Sequence, residues 1–561
     1  MNLILLFFLV ASGALAVRLF LMQIVHHREY LDLAAKQHGR VEEFASQRGI
    51  IFVQDGEKNL VPLALNQNYK VLVASPSRIE NPSETARELA QTLGLDEAEV
   101  LRKLSKIDDP YEIIARKIDE ETVDRIAALE LPGLSFEDET RRVYPDAGLA
   151  AHLIGFVSAE QGEEAGQYGL ERTYNEDLAG SKGILEGAKD AAGFWIALGR
   201  RILVPPKNGS SLVLTLDYTI QRKAEEIGRL AREKSEARQA LILVLEPKTG
   251  RILAEAVDPT FDPNLFSQQE DLSIFLNPAV ESRYELGSVV KPLTMAAGIA
   301  ERKVQPDSRY QDTGIVRIGG VAIHNYGQRS YGWQTMTQVL ERSLNTGAVH
   351  VARLLGPEAQ REYLERFGLG EETGVDLPGE IAGDISNLTS GREIDFATAS
   401  FGQGIATTPL QLARAIGAIA NGGRLMRPYV GEKSIDDSGN EVRHTPEVGR
   451  EVVPAQTAET ITKMLVSAVR NGIENRAGVK GYFVAGKTGT AQVPRKDGRG
   501  YSDEVIHTFV GYAPAFDPRF LIFLQLNEPK SQRSAAPTLT PAFHDLAEFI
   551  LNYYEVPPDE K

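Results

Sequence analysis

The chain has 561 residues, a formal net charge of -16, and a composition that is 42% hydrophobic and 25% charged. A chain of this length is too long to fold around one hydrophobic core, so roughly three or four structural units are predicted. The excess of acidic residues and the lack of a long basic run argue against nucleic acid as the main partner. Because the sequence contains no cysteine, disulfides, thiol catalysis and cysteine-ligated metals are excluded.

The amino terminus is strongly apolar. Residues 2–17 carry almost only apolar side chains, and the apolar character resumes after Arg18 and continues to Val25. A run of about 24 residues can cross a bilayer if the charged end of Arg18 reaches an interface. Ala14 and Ala16 also fit a cleaved signal peptide. The apolar run continues beyond them, which favours a retained transmembrane anchor over residues 1–25.

Residues 26–205 have the pattern of an extended, mixed α/β module rather than of an enzyme core. Ser83 and Asp96 are the expected caps of two of its helices. Pro205 and Gly209 bound a turn that separates this module from a second unit, residues 206–561. The segments expected to be regular are a helix at 30–36, a strand at 48–53, and helices at 84–93, 96–106 and 119–129.

From residue 211 onward, two groups of predicted strands enclose a long helical insertion, residues 288–469. This order indicates an α+β unit with an antiparallel sheet. Capping signals begin three of its helices, at Asp217, at Thr335 and at Thr408. The other predicted segments are strands at 212–216, 240–245, 251–256, 481–491, 508–512 and 520–526, and a closing helix at 541–553.

Ser288 and Lys291 stand three residues apart where a helix is predicted to begin, because Pro292 is tolerated only in a first turn. This spacing puts both side chains on one helix face, where an amine could activate a hydroxyl nucleophile. The positive end of the helix disfavours a protonated lysine and favours negative charge on a bound acyl oxygen. The pair alone is weak evidence, since Ser-x-x-Lys is common on surface helices.

Two further motifs follow in chain order, Ser343-x-Asn345 and Lys487-Thr488-Gly489-Thr490. With these three motifs, the sequence resembles the class B penicillin-binding proteins, the monofunctional peptidoglycan D,D-transpeptidases. The Ser-x-Asn form leans toward the division-type subgroup. The resemblance extends over nearly the whole chain, through the segments 48–51, 142–145, 168–171, 367–370, 373–380 and 402–404.

The resemblance implies a penicillin-binding and serine β-lactamase-like transpeptidase domain, built from a five-stranded antiparallel sheet and a helical subdomain. A pedestal or dimerisation-type domain would precede it in the chain. Ser288 would be the nucleophile and Lys291 its base. Ser343 would relay a proton to the leaving amine, and Asn345 would hold the peptide amide. The substrate carboxylate would be bound on an edge strand by Lys487, Thr488, Gly489 and Thr490. Gly486 and Gly489 would leave room for the substrate backbone to approach this strand.

The family's oxyanion hole implies the backbone N–H groups of Ser288 and Thr490. The implied partners are peptidoglycan stem peptides, β-lactams, a polytopic glycan-polymerising membrane glycosyltransferase and division proteins, with no cofactor. The catalytic domain is expected on the outer face of the cell membrane, on functional grounds only. The positive-inside rule, applied to the cations after the anchor, tends toward the opposite orientation.

Several tempting residues have a structural interpretation instead. His324, His350 and His507 are isolated, and no cluster has metal-ligand spacing, so no metal is predicted. Asp376 and Glu380 flank Pro378 and Gly379 in what should be a rigid loop. The family usually has proline where Leu286 stands, which makes this position the first place to look for altered geometry.

Two other functions remain open at this stage. A membrane-anchored β-lactamase or β-lactam sensor shares the three motifs but passes the acyl group to water or keeps it. A catalytically silent division scaffold would depend on the module at 26–205 alone. Intact motifs argue against the scaffold, and the sequence offers neither a water-activating carboxylate nor a sensor domain.

Overall fold

The computed structural model describes residues 2–21, 24, 39–160, 163–188, 202–495 and 500–560. The chain divides into two compact units. The smaller unit comprises Met1–Gly49, Glu176–Ser210 and Asp436–Asn440, and the larger unit comprises Ile50–Asn175, Ser211–Ile435 and Glu441–Lys561.

The smaller unit contains an amino-terminal helix, Asn2–Phe20, and an antiparallel sheet in the order Gly39–Phe44, Gly183–Ala188, Ile202–Val204. The helix exposes large apolar side chains such as Phe7. Across the described ranges, no helix is both long enough and apolar enough to span a bilayer. The predicted helix at 30–36 lies outside the described residues.

The larger unit begins with a mixed sheet. The strand Ser211–Asp217 runs parallel to Ile51–Gln54, and the remaining pairs are antiparallel. Leu134–Val143 pairs beside this path with the long strand Leu60–Ala74. The strand order is Glu441–Arg443, Gly431–Ile435, Ser211–Asp217, Ile51–Gln54, Leu60–Ala74, Glu112–Ile118.

Three amphipathic helices share a buried apolar cluster with this sheet. They span Pro82–Leu93, Glu97–Leu104 and Glu120–Ala127, close to the predicted segments. Asp96 caps the second helix, as predicted, by accepting from the N–H of Glu99. The prediction for Ser83 is wrong, because Asn81 occupies the N-cap position and Pro82 begins the helix. Short elements follow: Ala151–Ile154, Val157–Glu160, Glu163–Gly166, Gly169–Thr173 and Asn175–Ala179.

A five-stranded antiparallel sheet forms the centre of the remainder and confirms the predicted α+β arrangement. The strands are β1 (Gln239–Leu245), β2 (Ile252–Asp258), β3 (Ala485–Pro494), β4 (Tyr501–Ala513) and β5 (Phe520–Asn527). Their order in the sheet is β2-β1-β5-β4-β3, so β3 is an edge strand. The predicted strand at 481–491 begins four residues later than expected.

Helices cover both faces of this sheet. They are α1 (Tyr218–Ser235), α2 (Lys291–Ala300), α3 (Met336–Glu341), α4 (Asn345–Leu355), α5 (Pro357–Arg366), α6 (Glu393–Ala399), α7 (Pro409–Ala420), α8 (Ala455–Asn471) and α9 (Ala536–Tyr553). α1 and α9 bury Ile220, Phe543 and Ile550 against the sheet, while α7 and α8 contact it from the insertion. Each such side chain contributes about 1.5–3 kcal/mol when fully buried.

The capping predictions hold in this part of the chain. Asp217 caps α1, and complete capping boxes begin α3 at Thr335 and α7 at Thr408. The closing helix α9 begins five residues before the predicted start, with Pro541 inside it. Three small hairpins interrupt the helical insertion: Arg309–Asp312 with Gly332–Thr335, Ile315–Ile318 with Val321–His324, and Arg424–Met426 with Val448–Glu451.

Candidate active site

Ser288 lies in a single 3-10 turn, Gly287–Val290, that leads directly into α2. The N–H of Lys291 donates to the carbonyl oxygen of Ser288, and Pro292 stands in the first turn of α2. Val289 and Val290 are buried while Ser288 is partly exposed. The predicted helix start is therefore confirmed, with the serine one tight turn before it.

Lys291 is 1% exposed. Its Nζ donates to the carbonyl oxygen of Ser343 over 2.6 Å and to the Ser343 hydroxyl over 3.2 Å. Burial holds the pKa of Lys291 well below its ordinary value of 10.5, and the Lys487 charge lowers this pKa further, while Glu474 acts in the opposite direction. A buried lysine in this environment favours the neutral amine, which can accept a proton.

The hydrogen-bond partner of Lys291 differs from the sequence expectation. The spacing suggested a bond between Nζ and the hydroxyl of Ser288. Within the described residues, Nζ donates only to Ser343. Catalytic hydrogen bonds often tighten only when substrate is bound, so the lack of a bond to Ser288 does not argue against Lys291 as its base.

Ser343 and Asn345 are positioned by the junction between α3 and α4. Ser343 has φ 54°, in the left-handed region that usually favours glycine. Its N–H donates to the carbonyl oxygen of Leu340 at the end of α3. Asn345 begins α4, and its Nδ2 donates over 2.9 Å to the carbonyl oxygen of His324. The amide oxygen of Asn345 therefore remains as the acceptor that a peptide N–H would require.

The Lys-Thr-Gly-Thr segment lies on the edge strand β3. Lys487 is 0% exposed and forms an ion pair with Glu474, which is also 0% exposed. Thr488 donates its hydroxyl to the same carboxylate over 2.7 Å. Thr490 is partly exposed, and its hydroxyl oxygen accepts from the N–H of Ala535 over 3.1 Å. The hydroxyl proton of Thr490 therefore remains available to a substrate.

Two glycines of this strand have a different role from the one expected. A Cβ added to Gly489 would overlap the carbonyl oxygen of Leu286, and one added to Gly486 would lie 2.6 Å from Phe509. The sequence suggested that both glycines make room for a substrate backbone. The protein itself fills that space, so the missing side chains allow β3 to pack against the serine turn and β4.

The two residues of the expected oxyanion hole belong to segments that contact each other. A Cβ on Gly287 would lie 2.8 Å from the carbonyl oxygen of Thr490. The serine turn therefore contacts β3 at the residue whose N–H completes the predicted pair. Glu474 is the one component that sequence reasoning missed. It lies in a polar turn with no motif, and no local signal could have identified it.

The other residues considered in the sequence have structural roles. His507 is buried and hydrogen-bonded to Thr538, and His350 stacks on Tyr310. Asp376 accepts from the N–H groups of Val430 and Gly431, and Glu380 accepts from those of Thr373 and Gly374. Among the described residues, no group of three or more histidine or acidic side chains could hold a metal.

The fold and the site together define a serine acyl-transfer enzyme with a buried lysine one helical turn from the candidate serine. The family model described as "Penicillin binding protein transpeptidase domain" matches residues 240–548, and the one described as "Penicillin-binding Protein dimerisation domain" matches residues 44–214. The chain therefore belongs to the class B penicillin-binding proteins, as its motifs predicted.

Full-length relatives agree with these matches. The chain is 32% identical to "Stage V sporulation protein D" of Bacillus subtilis, over 94% of this chain and 81% of that protein. It is also 32% identical to "Penicillin-binding protein PbpB" of Mycobacterium tuberculosis, over 97% of this chain and 83% of that protein. The crystal structure of penicillin-binding protein 3 from Mycobacterium tuberculosis with ampicillin has a TM-score of 0.72 at 29% identity, covering 93% of this chain and 98% of the other.

Proposed function

We propose that this protein is a peptidoglycan D,D-transpeptidase that cross-links stem peptides through an acyl-enzyme on Ser288. One observation carries the proposal. Lys291 is buried, its pKa is held well below the ordinary value by burial, and it lies one helical turn from a serine beside an edge strand. A relative from Mesostigma viride, 27% identical over 98% of this chain, is named "Peptidoglycan D,D-transpeptidase FtsI homolog".

The first half of the reaction forms the acyl-enzyme. Neutral Lys291 takes the hydroxyl proton of Ser288 as Oγ attacks the carbonyl carbon of the penultimate D-alanine. The developing oxyanion accepts hydrogen bonds from the N–H groups of Ser288 and Thr490, and losing one such donor typically costs roughly 10²–10³-fold in rate. The C–N bond then breaks, and the Lys291 proton passes through the Ser343 hydroxyl to the departing D-alanine amine. The bond from Lys291 to Ser343 is the path for this transfer.

The second half of the reaction makes the cross-link. The amine of a second stem peptide gives up a proton to Lys291 as it attacks the acyl carbon and forms the new peptide bond. The ester C–O bond to Ser288 then breaks, and Lys291 returns the proton to Oγ of Ser288. The donor peptide lies extended along β3, whose outer side pairs with no other strand in the described part of the chain. The Thr490 hydroxyl donates to its terminal carboxylate, the buried Lys487 contributes positive charge nearby, and the amide oxygen of Asn345 accepts a peptide N–H.

β-Lactams would acylate the same serine, because their strained amide presents the same reacting atoms. The mycobacterial penicillin-binding protein 3 has been solved in complex with aztreonam and with ampicillin. The division-type subgroup is favoured by Ser343-x-Asn345, and septal wall synthesis is the corresponding role. Residues 26–205 would serve as the pedestal and residues 206–561 as the transpeptidase domain.

The proposed location is the outer face of the cell membrane, with residues 1–25 as a single-pass anchor. Two facts support it: the apolar run in the sequence and the exposed apolar side chains from Phe7 to Phe20. The proposed partners are a polytopic glycan polymerase and division proteins, which residues 26–205 would contact. Exchange of that module for a relative's should abolish co-purification with the polymerase while penicillin labelling persists. Labelling of intact cells by a membrane-impermeant reagent tests the orientation.

Covalent labelling by a fluorescent penicillin tests the enzyme assignment. The purified protein should be labelled at Ser288, Ser288→Ala should not be labelled, and Ser273→Ala, an exposed serine in a 3-10 turn, should be labelled as fast as the parent. Release of D-alanine from a stem pentapeptide with a D-amino acid acceptor tests transpeptidation itself. Rapid loss of the label to water would indicate a β-lactamase, and a parent protein that remains unlabelled would indicate a silent scaffold.

A further inference from the structure

Glu474 is a fully buried carboxylate whose two neighbours in the chain are exposed. It follows α8 and precedes the 3-10 turn Asn475–Ala477. Its neighbours Ile473 and Asn475 are exposed, whereas Glu474 has 0% of its surface accessible. An acidic side chain is almost never fully buried unless it is paired. The turn therefore directs one charged side chain into the protein, and the contacts of that side chain indicate its role.

Those partners all belong to the Lys-Thr-Gly-Thr segment. Glu474 Oε1 forms the ion pair with Lys487 Nζ and accepts the Thr488 hydroxyl over 2.7 Å and the Thr488 N–H over 3.3 Å. The second carboxylate oxygen is buried without a hydrogen-bond partner in the described part of the chain. A buried ion pair with one unsatisfied oxygen is a poor source of stability. Its contacts instead fix the direction of a lysine and a hydroxyl.

We propose that Glu474 is a positioning residue of the acyl-transfer site, which holds the Lys487 ammonium and the Thr488 hydroxyl in place and leaves Thr490 as the hydroxyl that meets the substrate carboxylate. This inference rests on the proposed function. The Lys487 ammonium places a positive charge near Lys291, and the ion pair with Glu474 fixes the position of that ammonium. The Thr488 hydroxyl donates its hydrogen bond to Glu474. The Thr490 hydroxyl accepts a hydrogen bond from the N–H of Ala535, so it can still donate one to the substrate.

The charge of Glu474 also affects the pKa of Lys291, the proposed base. The charged groups that act on Lys291 are Lys487 from β3 and Glu474 from the turn after α8, and they shift the pKa of Lys291 in opposite directions. Removal of the Glu474 charge leaves the lowering effect of Lys487 unopposed. Acylation requires neutral Lys291, so the acid limb of its pH profile should move to lower pH when Glu474 is neutralised.

The test uses the intact protein and measures the second-order rate of acylation by a fluorescent penicillin across pH. Glu474→Gln keeps the size and an acceptor oxygen but removes the charge, and it should slow acylation by about 10- to 100-fold because a charge-assisted contact that orients Lys487 is lost. Glu474→Asp keeps the charge and should recover part of the rate. Arg476→Gln removes an exposed charge from the same turn and should leave both rate and profile unchanged.

A double-mutant cycle with Lys487→Gln decides whether Glu474 acts through Lys487. If it does, Glu474→Gln adds little to the loss already caused by Lys487→Gln, and the two effects are not additive. The double variant removes both charges, so it remains informative if Glu474→Gln alone does not fold. Additive losses, or a Glu474→Gln profile with an unmoved acid limb, would overturn the proposal. Absence of labelling in the parent protein would refute the proposed function instead.

Discussion

Lys291 Nζ lies 2.6 Å from the carbonyl oxygen of Ser343, and Ser343 holds a left-handed backbone with φ 54°. The two facts are related, because the turned backbone at the end of α3 presents both the carbonyl oxygen and the hydroxyl of Ser343 to one buried amine. The proposed base, Lys291, and the proposed proton relay, Ser343, are therefore joined directly by hydrogen bonds.

Replacement of Lys291 by methionine should abolish most acylation while preserving the fold. The methionine fills similar volume but cannot take the Ser288 proton, and loss of a general base typically costs about 10²–10⁴-fold in rate. In the parent protein, the rate should rise with pH and reach its plateau well below pH 10.5, because burial lowers the pKa of Lys291. The acylation rate measured from pH 5 to pH 10 checks both expectations.

The same substitution should affect stability in a pH-dependent way. The folded protein disfavours a proton on Lys291, whereas the unfolded chain retains one up to about pH 10.4. Between the lowered folded pKa and that value the unfolded state binds more protons, so the parent gains stability as pH rises. Lys291→Met removes this dependence. The free energies of unfolding of the parent and of Lys291→Met, measured with denaturant at pH 7 and pH 9, should differ more in favour of the parent at pH 9. A difference that is the same at both pH values would contradict this prediction.

Substitutions of Ser343 should separate backbone strain from chemistry. Ser343→Ala and Ser343→Gly both remove the relay hydroxyl and should slow acylation to a similar extent. Only glycine relieves the left-handed conformation, which costs other residues about 1–2 kcal/mol. Ser343→Gly should therefore have the higher melting temperature of the two. Equal melting temperatures would mean that the backbone at Ser343 is unstrained.

Much of this site could be predicted from local patterns, because helix starts depend on residues within one turn. Asp217, Thr335 and Thr408 cap their helices as expected, and Pro292 marked the start of α2. Contacts between distant segments could not be predicted. Lys291 meets a residue 52 positions away, and Lys487 pairs with Glu474, which carries no motif.

The departure at Leu286 also has a physical explanation that emerges only in three dimensions. Leu286 has φ -100°, outside the range near -65° that a proline ring imposes. Its side chain is buried, and its carbonyl oxygen occupies the space beside Gly489. The chain therefore reaches the serine turn through a backbone geometry in which leucine is acceptable and proline is not required.

His507 should make the protein sensitive to mild acid. Burial lowers the pKa of this histidine from 6.5 to about 4, so the unfolded chain binds more protons as pH falls between these values. Stability should decrease across that window by up to a few kcal/mol from this group. His507→Gln should lose less stability between pH 7 and pH 5 than the parent does in denaturant unfolding. His544→Gln, at a partly exposed histidine, is the matched control and should follow the parent.

Gly287 should tolerate no side chain, because its backbone and its neighbour both exclude one. Its φ is 66°, and an added Cβ would lie 2.8 Å from the carbonyl oxygen of Thr490. Gly287→Ala should push β3 away from Ser288 and separate the two backbone donors, and a displacement of about 1 Å at a reacting centre can cost roughly 10²-fold in rate. Gly417→Ala provides the contrast, since nothing lies within 4 Å of its Cβ position in α7. That variant should acylate normally and gain up to about 1 kcal/mol of stability from better helix propensity. Parent-like acylation by Gly287→Ala would mean that the contact between the serine turn and β3 does not set the oxyanion geometry.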